Sequence, residues 1–452
     1  MKPIPVIAIF DVGKTNKKLF LFDEHYKNVY DESQHIEETK DEDGFACEDV
    51  DALTKWIKNS FEKLLATKSF QIRAVNFSAY GASFVYVDKH GKVIAPLYNY
   101  LKPYSPFLQK KFYDTYGGES AFARQTASPV LGNLNSGMQL YRLKYEKPEI
   151  FASVKYALHL PQYLSYIICS AVNSDITSIG CHTNLWDFQK NTYHRWVEQE
   201  GILDKLAPLK KSSEVAGYIE NTIPVGVGLH DSSAALIPYL YSFSEPFILL
   251  STGTWCISLN PFNHNPLTDH ELKHDCLCYL SYEGKSVKAS RLFAGYEHEQ
   301  QIKRLSAHFN KSVDFYKKVK ADPELIKKIS TQNITLKKTI EEQSLFGNRD
   351  LNEFKSFEEA YHQLITGLII QQIKSTNLVL KDTGVKQIFV DGGFSENPIY
   401  MRLLANAYPE IKVYTASVAQ ASALGAALAF QKNWNLQPFS SKAISLRFFN
   451  NQ

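Results

Sequence analysis

At 452 residues, with 44% hydrophobic and 21% charged side chains, the chain is too long for a single small module and too apolar for a disordered tail or a fibre. Fifty basic against 47 acidic residues leave a net charge of +3, which makes neither nucleic acid nor an anionic membrane the expected partner. The first residues, MKPIPVIAIFDVGK, carry no long apolar core of a leader, and no apolar run reaches the roughly 18 residues that cross a bilayer. Six scattered cysteines, Cys47, Cys169, Cys181, Cys256, Cys276 and Cys278, fit free thiols in a reducing compartment, so a soluble cytoplasmic protein is expected. The glycosylation triplets at Asn76, Asn310 and Asn333 then carry no meaning.

In chain order, residues 6–10 and 19–22 read as apolar strands joined by the polar turn Asp11-Val12-Gly13-Lys14-Thr15-Asn16. Val50, Leu53, Trp56 and Ile57 fall at helical spacing, and residues 74–78 form a strand ending in the turn at Tyr80-Gly81. Residues 225–228 make a Gly-rich strand end that leads through His230-Asp231 into a small-residue helix. The prolines at 238 and 246 mark an expected domain boundary. Beyond it the opening grammar repeats: strand 247–250, turn Ser251-Thr252-Gly253-Thr254, strand 255–259. His270-Glu271-Leu272-Lys273-His274 formally matches a zinc-protease pattern, but its Pro- and Asn-rich flank and the strand-like alternation after it predict loop or strand rather than the helix such a site needs. Residues 308–342, Lys-rich and irregularly amphipathic, are expected to form an exposed insertion. Phe357, Tyr361, Leu364 and Leu368 predict a helix, and residues 387–391 a strand closing in Gly392-Gly393 before another helix through Ile399, Leu403 and Leu404. Residues 420–429 predict a helix with one small, tightly packing face. The paired hairpins and paired strand–Gly turns predict two related α/β halves.

Four constellations could carry chemistry. Asp11 at a strand end, followed by Gly13, Lys14, Thr15 and Asn16, offers a phosphate and Mg²⁺ cradle, or simply a capped turn. Thr252, Gly253 and Thr254 offer the same donors without a carboxylate. Asp231 could accept a proton from an attacking hydroxyl, or serve as a helix N-cap. The Gly392-Gly393 pair permits flat backbone approach to a ring or phosphate. Neither a Walker A sequence nor a complete G-x-G-x-x-G occurs.

Taken in order, these four motifs resemble the FGGY family of carbohydrate kinases over about residues 5–430. The resemblance implies an α/β fold of two ribonuclease-H-like domains, of the actin, hexokinase and Hsp70 type, around a cleft that holds ATP and sugar. It implies a sugar-binding domain over 1–240 and a nucleotide-binding domain over 241–452. By motif position, Asp11 serves Mg²⁺, while Gly13, Lys14, Thr15 and Asn16 with Thr252, Gly253 and Thr254 hold the ATP phosphates. Gly392, Gly393 and Asn397 line the adenosine pocket, and Asp231 is the catalytic base. Tyr80, Gly81, Ala82, Tyr100 and His230 join Asp231 around the substrate. The His230-Asp231 pair is similar to the branch acting on L-rhamnulose and L-fuculose. Three departures stand out: the Trp and Asp-x-Arg elements are missing near Tyr100, Gln162 replaces an acid, and Phe394 replaces a third Gly, which predicts a narrower adenine pocket. The expected protein is a monomer or homodimer with a small-molecule substrate; the alternative is a non-catalytic ATP-binding regulatory protein on the same fold.

Overall fold

The computed structural model describes residues 2–327, 329 and 346–449. In the N-terminal lobe, β1 (Ile4–Val12) is buried on both faces along residues 6–10, as an interior strand with parallel pairing must be. It pairs antiparallel with β2 (Lys17–Asp23), which pairs with β3 (Asn28–Gln34). The chain then crosses through α1 (Val50–Ala66) to β4 (Phe70–Ala79), parallel to β1. Asp49 caps α1 by accepting from the Ala52 N–H at 2.8 Å, and Val50, Leu53, Trp56 and Ile57 form its buried stripe. Strands β5 (Val215–Ile219) and β6 (Ile223–Gly226) complete the order β5-β6-β4-β1-β2-β3, with β7 (Leu229–His230) also lying along β4. Between β4 and β5 an aromatic core gathers around Phe112, Tyr141 and Trp196.

Helix α2 (Asp231–Ser242) leads into the second lobe. There β8 (Phe247–Thr252), β9 (Cys256–Asn260), β10 (Cys276–Leu280) and β11 (Ser286–Leu292) precede α3 (Ala294–His308) and α4 (Phe357–Leu380). Next come β12 (Gln387–Gly392), α5 (Pro398–Ala407), β13 (Lys412–Ser417), α6 (Ala421–Ala429) and β14 (Ser445–Phe449). The sheet order is β10-β11-β9-β8-β12-β13-β14. Both lobes therefore share one core: three antiparallel strands, β3-β2-β1 or β11-β9-β8, flanked by a parallel strand, β4 or β12. The duplication expected from the repeated hairpins is present in the topology.

The lobes meet across α2 and α6, whose small and aliphatic residues pack with Ile7, Ile9, Phe247, Leu249 and Phe389 in one buried cluster. Pro238 lies inside α2, within the stretch expected to carry the domain boundary. Proline has no N–H for the carbonyl four residues earlier, that of Ala234. Helix α6 seats Gly425 against that carbonyl, where a Cβ would stand 1.8 Å from its oxygen.

Two expectations change. Within 308–342, Val319 and Ile326 are buried in the C-terminal core and Ile329 is also buried, so the described part of that segment is not a purely exposed insertion. Most of its remainder, Asn333 included, lies outside the described residues. The His270 pentad begins a short helix, Asp269–Lys273, because Thr268 and Glu271 form a reciprocal capping box. Glu271 pairs with Lys288 at 2.8 Å, so this carboxylate is committed to an ion pair.

Candidate active site

The strand registers bring the motifs to the same sheet ends. Asp11 pairs with Ser78, and Leu229 pairs with the same Ser78, so the first turn and the start of α2 emerge side by side. In the other lobe Ser251 pairs with Asp391, placing the second turn next to Gly392-Gly393.

The first turn closes through the Gly13 N–H, which donates to the Asn16 carbonyl at 2.9 Å. Thr15 and Asn16 are exposed, and Lys14 pairs with Glu38. Beneath it the buried Lys17 pairs with Glu48 at 2.8 Å and donates to the Lys14 carbonyl at 3.1 Å. Glu48 also accepts from the Tyr80 hydroxyl at 3.1 Å, which couples the turn to the predicted sugar-side residues. Tyr80 meets Tyr100 edge to face at 6.3 Å, Gly81 packs on the His230 ring, and the Ala82 carbonyl accepts from Gln139 at 2.7 Å. Sequence reasoning missed Lys17 and Glu48, since a buried ion pair leaves no periodic signal.

Asp231 is the first residue of α2, not its N-cap; that position belongs to His230. One Asp231 oxygen accepts from the Ser232 N–H at 2.6 Å and lies 3.3 Å from His230 Nε2, while 33% of the side chain stays exposed. Burial pushes this carboxyl up to about 6, against accepted hydrogen bonds from Ser232. Asp11 is also raised to about 6, first by burial and then by the negative charge of Asp231, although Ser422 donates to it at 2.7 Å from the start of α6. Burial holds His230 down at about 4, neutral at pH 7, and its Nε2 also lies 3.4 Å from Cys181 Sγ.

On the C-terminal side a cavity of about 530 Å³ is lined by Thr252, Gly253, Thr254, Gly393, Phe394 and Asn397, together with Gly295, His298, Glu299, Tyr316, Lys317, Tyr361, Glu396 and Pro398. The Thr252 hydroxyl bridges the two turns, donating to the Asp391 carbonyl at 2.6 Å and accepting from the Phe394 N–H at 3.0 Å. Gly392 has φ +88°, and a Cβ there would stand 2.0 Å from the Thr252 carbonyl, so this bend requires glycine. Asn397 caps α5 through the Ile399 and Tyr400 N–H groups and donates to the Tyr361 hydroxyl at 2.7 Å. The Phe394 ring turns into the core and stacks on Tyr400 at 4.6 Å. His298 and Tyr316 escaped the sequence reading, and Tyr361 was read only as a helix-face residue, because their elements are remote from the glycine turns in the chain. The adjoining Asp391 accepts from Tyr239 of α2 at 3.0 Å, a bond that crosses between the lobes.

Among known proteins, a family model for the FGGY family of carbohydrate kinases, N-terminal domain, matches residues 6–237. A second, for the carbohydrate kinase FGGY C-terminal domain, matches residues 244–438. A rhamnulokinase of Mannheimia succiniciproducens is 23% identical over 269 residues, 56% of this chain and 52% of that protein. One of Halalkalibacterium halodurans is 25% identical over 259 residues, 54% of this chain and 52% of the relative. The matched stretch thus spans about half the length of these relatives. A crystal structure of a carbohydrate kinase from Novosphingobium aromaticivorans shares the fold with TM-score 0.79 at 22% identity, over 99% of this chain and 94% of the other. Ligand-bound xylulose kinase from Lactobacillus acidophilus gives TM-score 0.78 at 16% identity, over 99% and 94%. Glycerol kinase from Plasmodium falciparum with ADP gives 0.72 at 16%, over 96% and 90%. With both halves matched by the family models and the repeated core in place, the chain belongs to the FGGY family of carbohydrate kinases.

Proposed function

We propose that this protein transfers the γ-phosphoryl group of MgATP to a hydroxyl of a small ketose, a deoxyketose such as L-rhamnulose or L-fuculose being favoured. Residues 1–240 hold the acceptor and residues 241–452 the nucleotide. The observation that carries the reading is Asp231: a carboxylate at a helix start, beside neutral His230 and next to Asp11, with its tip exposed. The rhamnulokinase names of its relatives support the choice of sugar.

Asp231 accepts the proton of the attacking hydroxyl. A carboxyl near 6 is ionised at neutral pH yet more basic than an exposed aspartate, which suits a general base. His230, neutral with its Nε2 3.3 Å away, packs beside it without adding a cation. Backbone N–H groups within the Lys14–Asn16 stretch and at Thr254, with the Thr15 and Thr254 hydroxyls, bind phosphate oxygens. The base and ribose lie in the cavity beside Gly393, Tyr361 and Asn397. Two neighbouring carboxyls, with the Asp231 charge raising the proton affinity of Asp11, fit a dication, which Asp11 would hold through water. When bound, Mg²⁺ supplies charge neutralisation on the phosphates. Excluding water between the lobes protects ATP from hydrolysis.

The test is coupled ADP release over a panel of L-rhamnulose, L-fuculose, D-xylulose, gluconate and glycerol. The expected result is stimulation by a ketose, with kcat/KM highest for a deoxyketose. If nothing in the panel stimulates ADP release while ATP still binds, a non-catalytic ATP-binding role replaces this reading.

A further inference from the structure

The cross-strand register of the C-terminal sheet places one cation, outside the catalytic motifs, on the face turned toward the N-terminal lobe. Asp391 of β12 pairs with Ser251 of β8, Ser251 with Ile257 of β9, and Ile257 with Arg291 of β11. Paired residues share a face, so these side chains form a row on one side of the sheet. The next row on that face, Leu249, Leu259 and Ala289, packs in the interlobe cluster with α2 and α6. Arg291 therefore points toward the N-terminal lobe, level with the residue that opens the second turn.

The guanidinium is held but incompletely satisfied. Its Nη2 pairs with Asp275 at 2.6 Å, and the group lies 5.2 Å from the ring of Trp255, which directly follows the turn. The side chain is 9% exposed, and its Nε is buried with no partner among the described residues. An orphaned buried donor is costly and calls for an explanation. On the opposite side, the rings of His182, His230 and Tyr279 stand 5.9–6.5 Å apart in a cluster that joins the lobes, and His230 touches Asp231. Cys181, against His230, experiences the charges of both Asp231 and Arg291.

We propose that Arg291 is the acceptor-binding residue of the C-terminal lobe: its free Nε–H donates to an acceptor oxygen beside the hydroxyl that Asp231 deprotonates. The inference rests on the acceptor site proposed above and adds a second lobe to it. Asp275 and the Trp255 face fix the guanidinium plane, so the donor is directional rather than a diffuse charge. A site with such a buried donor discriminates strongly against analogues that lack the matching oxygen.

The experiment measures ADP release by wild type, Arg291→Gln and Arg291→Lys, titrating the best acceptor of the panel and MgATP separately. The Gln variant is expected to raise acceptor KM by about 10-fold or more. The Lys variant, which keeps the charge beside Asp275 but lacks the directed Nε–H, is expected to raise it about 5-fold, with MgATP KM within about twofold in both. The Lys variant alone decides if the Gln variant does not fold. Acceptor KM within twofold of wild type in the folded variants overturns the assignment, as does a change confined to MgATP KM. Those results leave the kinase reading intact. A wild type that no acceptor stimulates removes that reading and the Arg291 role together.

Discussion

Asp231 is ionised at neutral pH at a cost to the fold. Its carboxyl titrates near 6 in the folded chain against about 4 for an ordinary aspartate, so between those values the folded state holds the extra proton. Stability contributed by this group is therefore greatest at acid pH and falls as pH rises from about 4 to about 6. With Asp231 as the proposed base, activity runs the other way, since only the ionised form accepts a proton, and kcat/KM is expected to rise through about pH 6 to a plateau. Replacing Asp231 by Asn removes the buried charge. Allowing for solvent at its exposed tip, the variant gains on the order of 1–2 kcal/mol at pH 7 and little near pH 4. Thermal unfolding at the two pH values checks this; an equal gain at both would assign it to packing rather than ionisation.

Helices α2 and α6 pack against each other between the lobes, and their contact depends on one missing side chain. A methyl at Gly425 would overlap the Ala234 carbonyl, so Gly425→Ala is expected to destabilise by about 2–4 kcal/mol in denaturant unfolding. An unchanged midpoint would mean that the helices slide apart freely. This contact was only half legible in the sequence. The small face of residues 420–429 announced tight packing, but nothing local showed that its partner was the helix carrying Asp231, or that Pro238 lies within that helix. The turns at Asp11–Asn16 and Ser251–Thr254 were legible because a turn is encoded by adjacent residues: small and polar between two apolar strands. Lys17, Glu48, His298, Tyr361 and Arg291 were not, since each gains its meaning from partners tens or hundreds of residues away. The His270 pentad misled for the converse reason, its helix being set by the Thr268 cap rather than by the histidines.

Across the whole molecule, each of the duplicated sheets carries one glycine-bearing turn, and bonds from one lobe to the other tie the lobes together. Ser422 donates to Asp11, Tyr239 donates to Asp391, and Asn76 donates to the Ala426 carbonyl at 2.9 Å. At the rim, Arg124 and Ser120 both engage Asp269, at the start of the His270 helix. The proposed transfer asks of such a frame only that it position the substrates and neutralise the charge on the transferring group. The most direct test of the account is the yield of phosphorylated sugar from MgATP, quantified by mass spectrometry for wild type and Asp231→Asn, with MgATP affinity measured by calorimetry on the same preparations. The account predicts product from wild type and a loss of about 10²-fold or more in the variant, with nucleotide affinity within about twofold. Near-normal product formation by Asp231→Asn would contradict it.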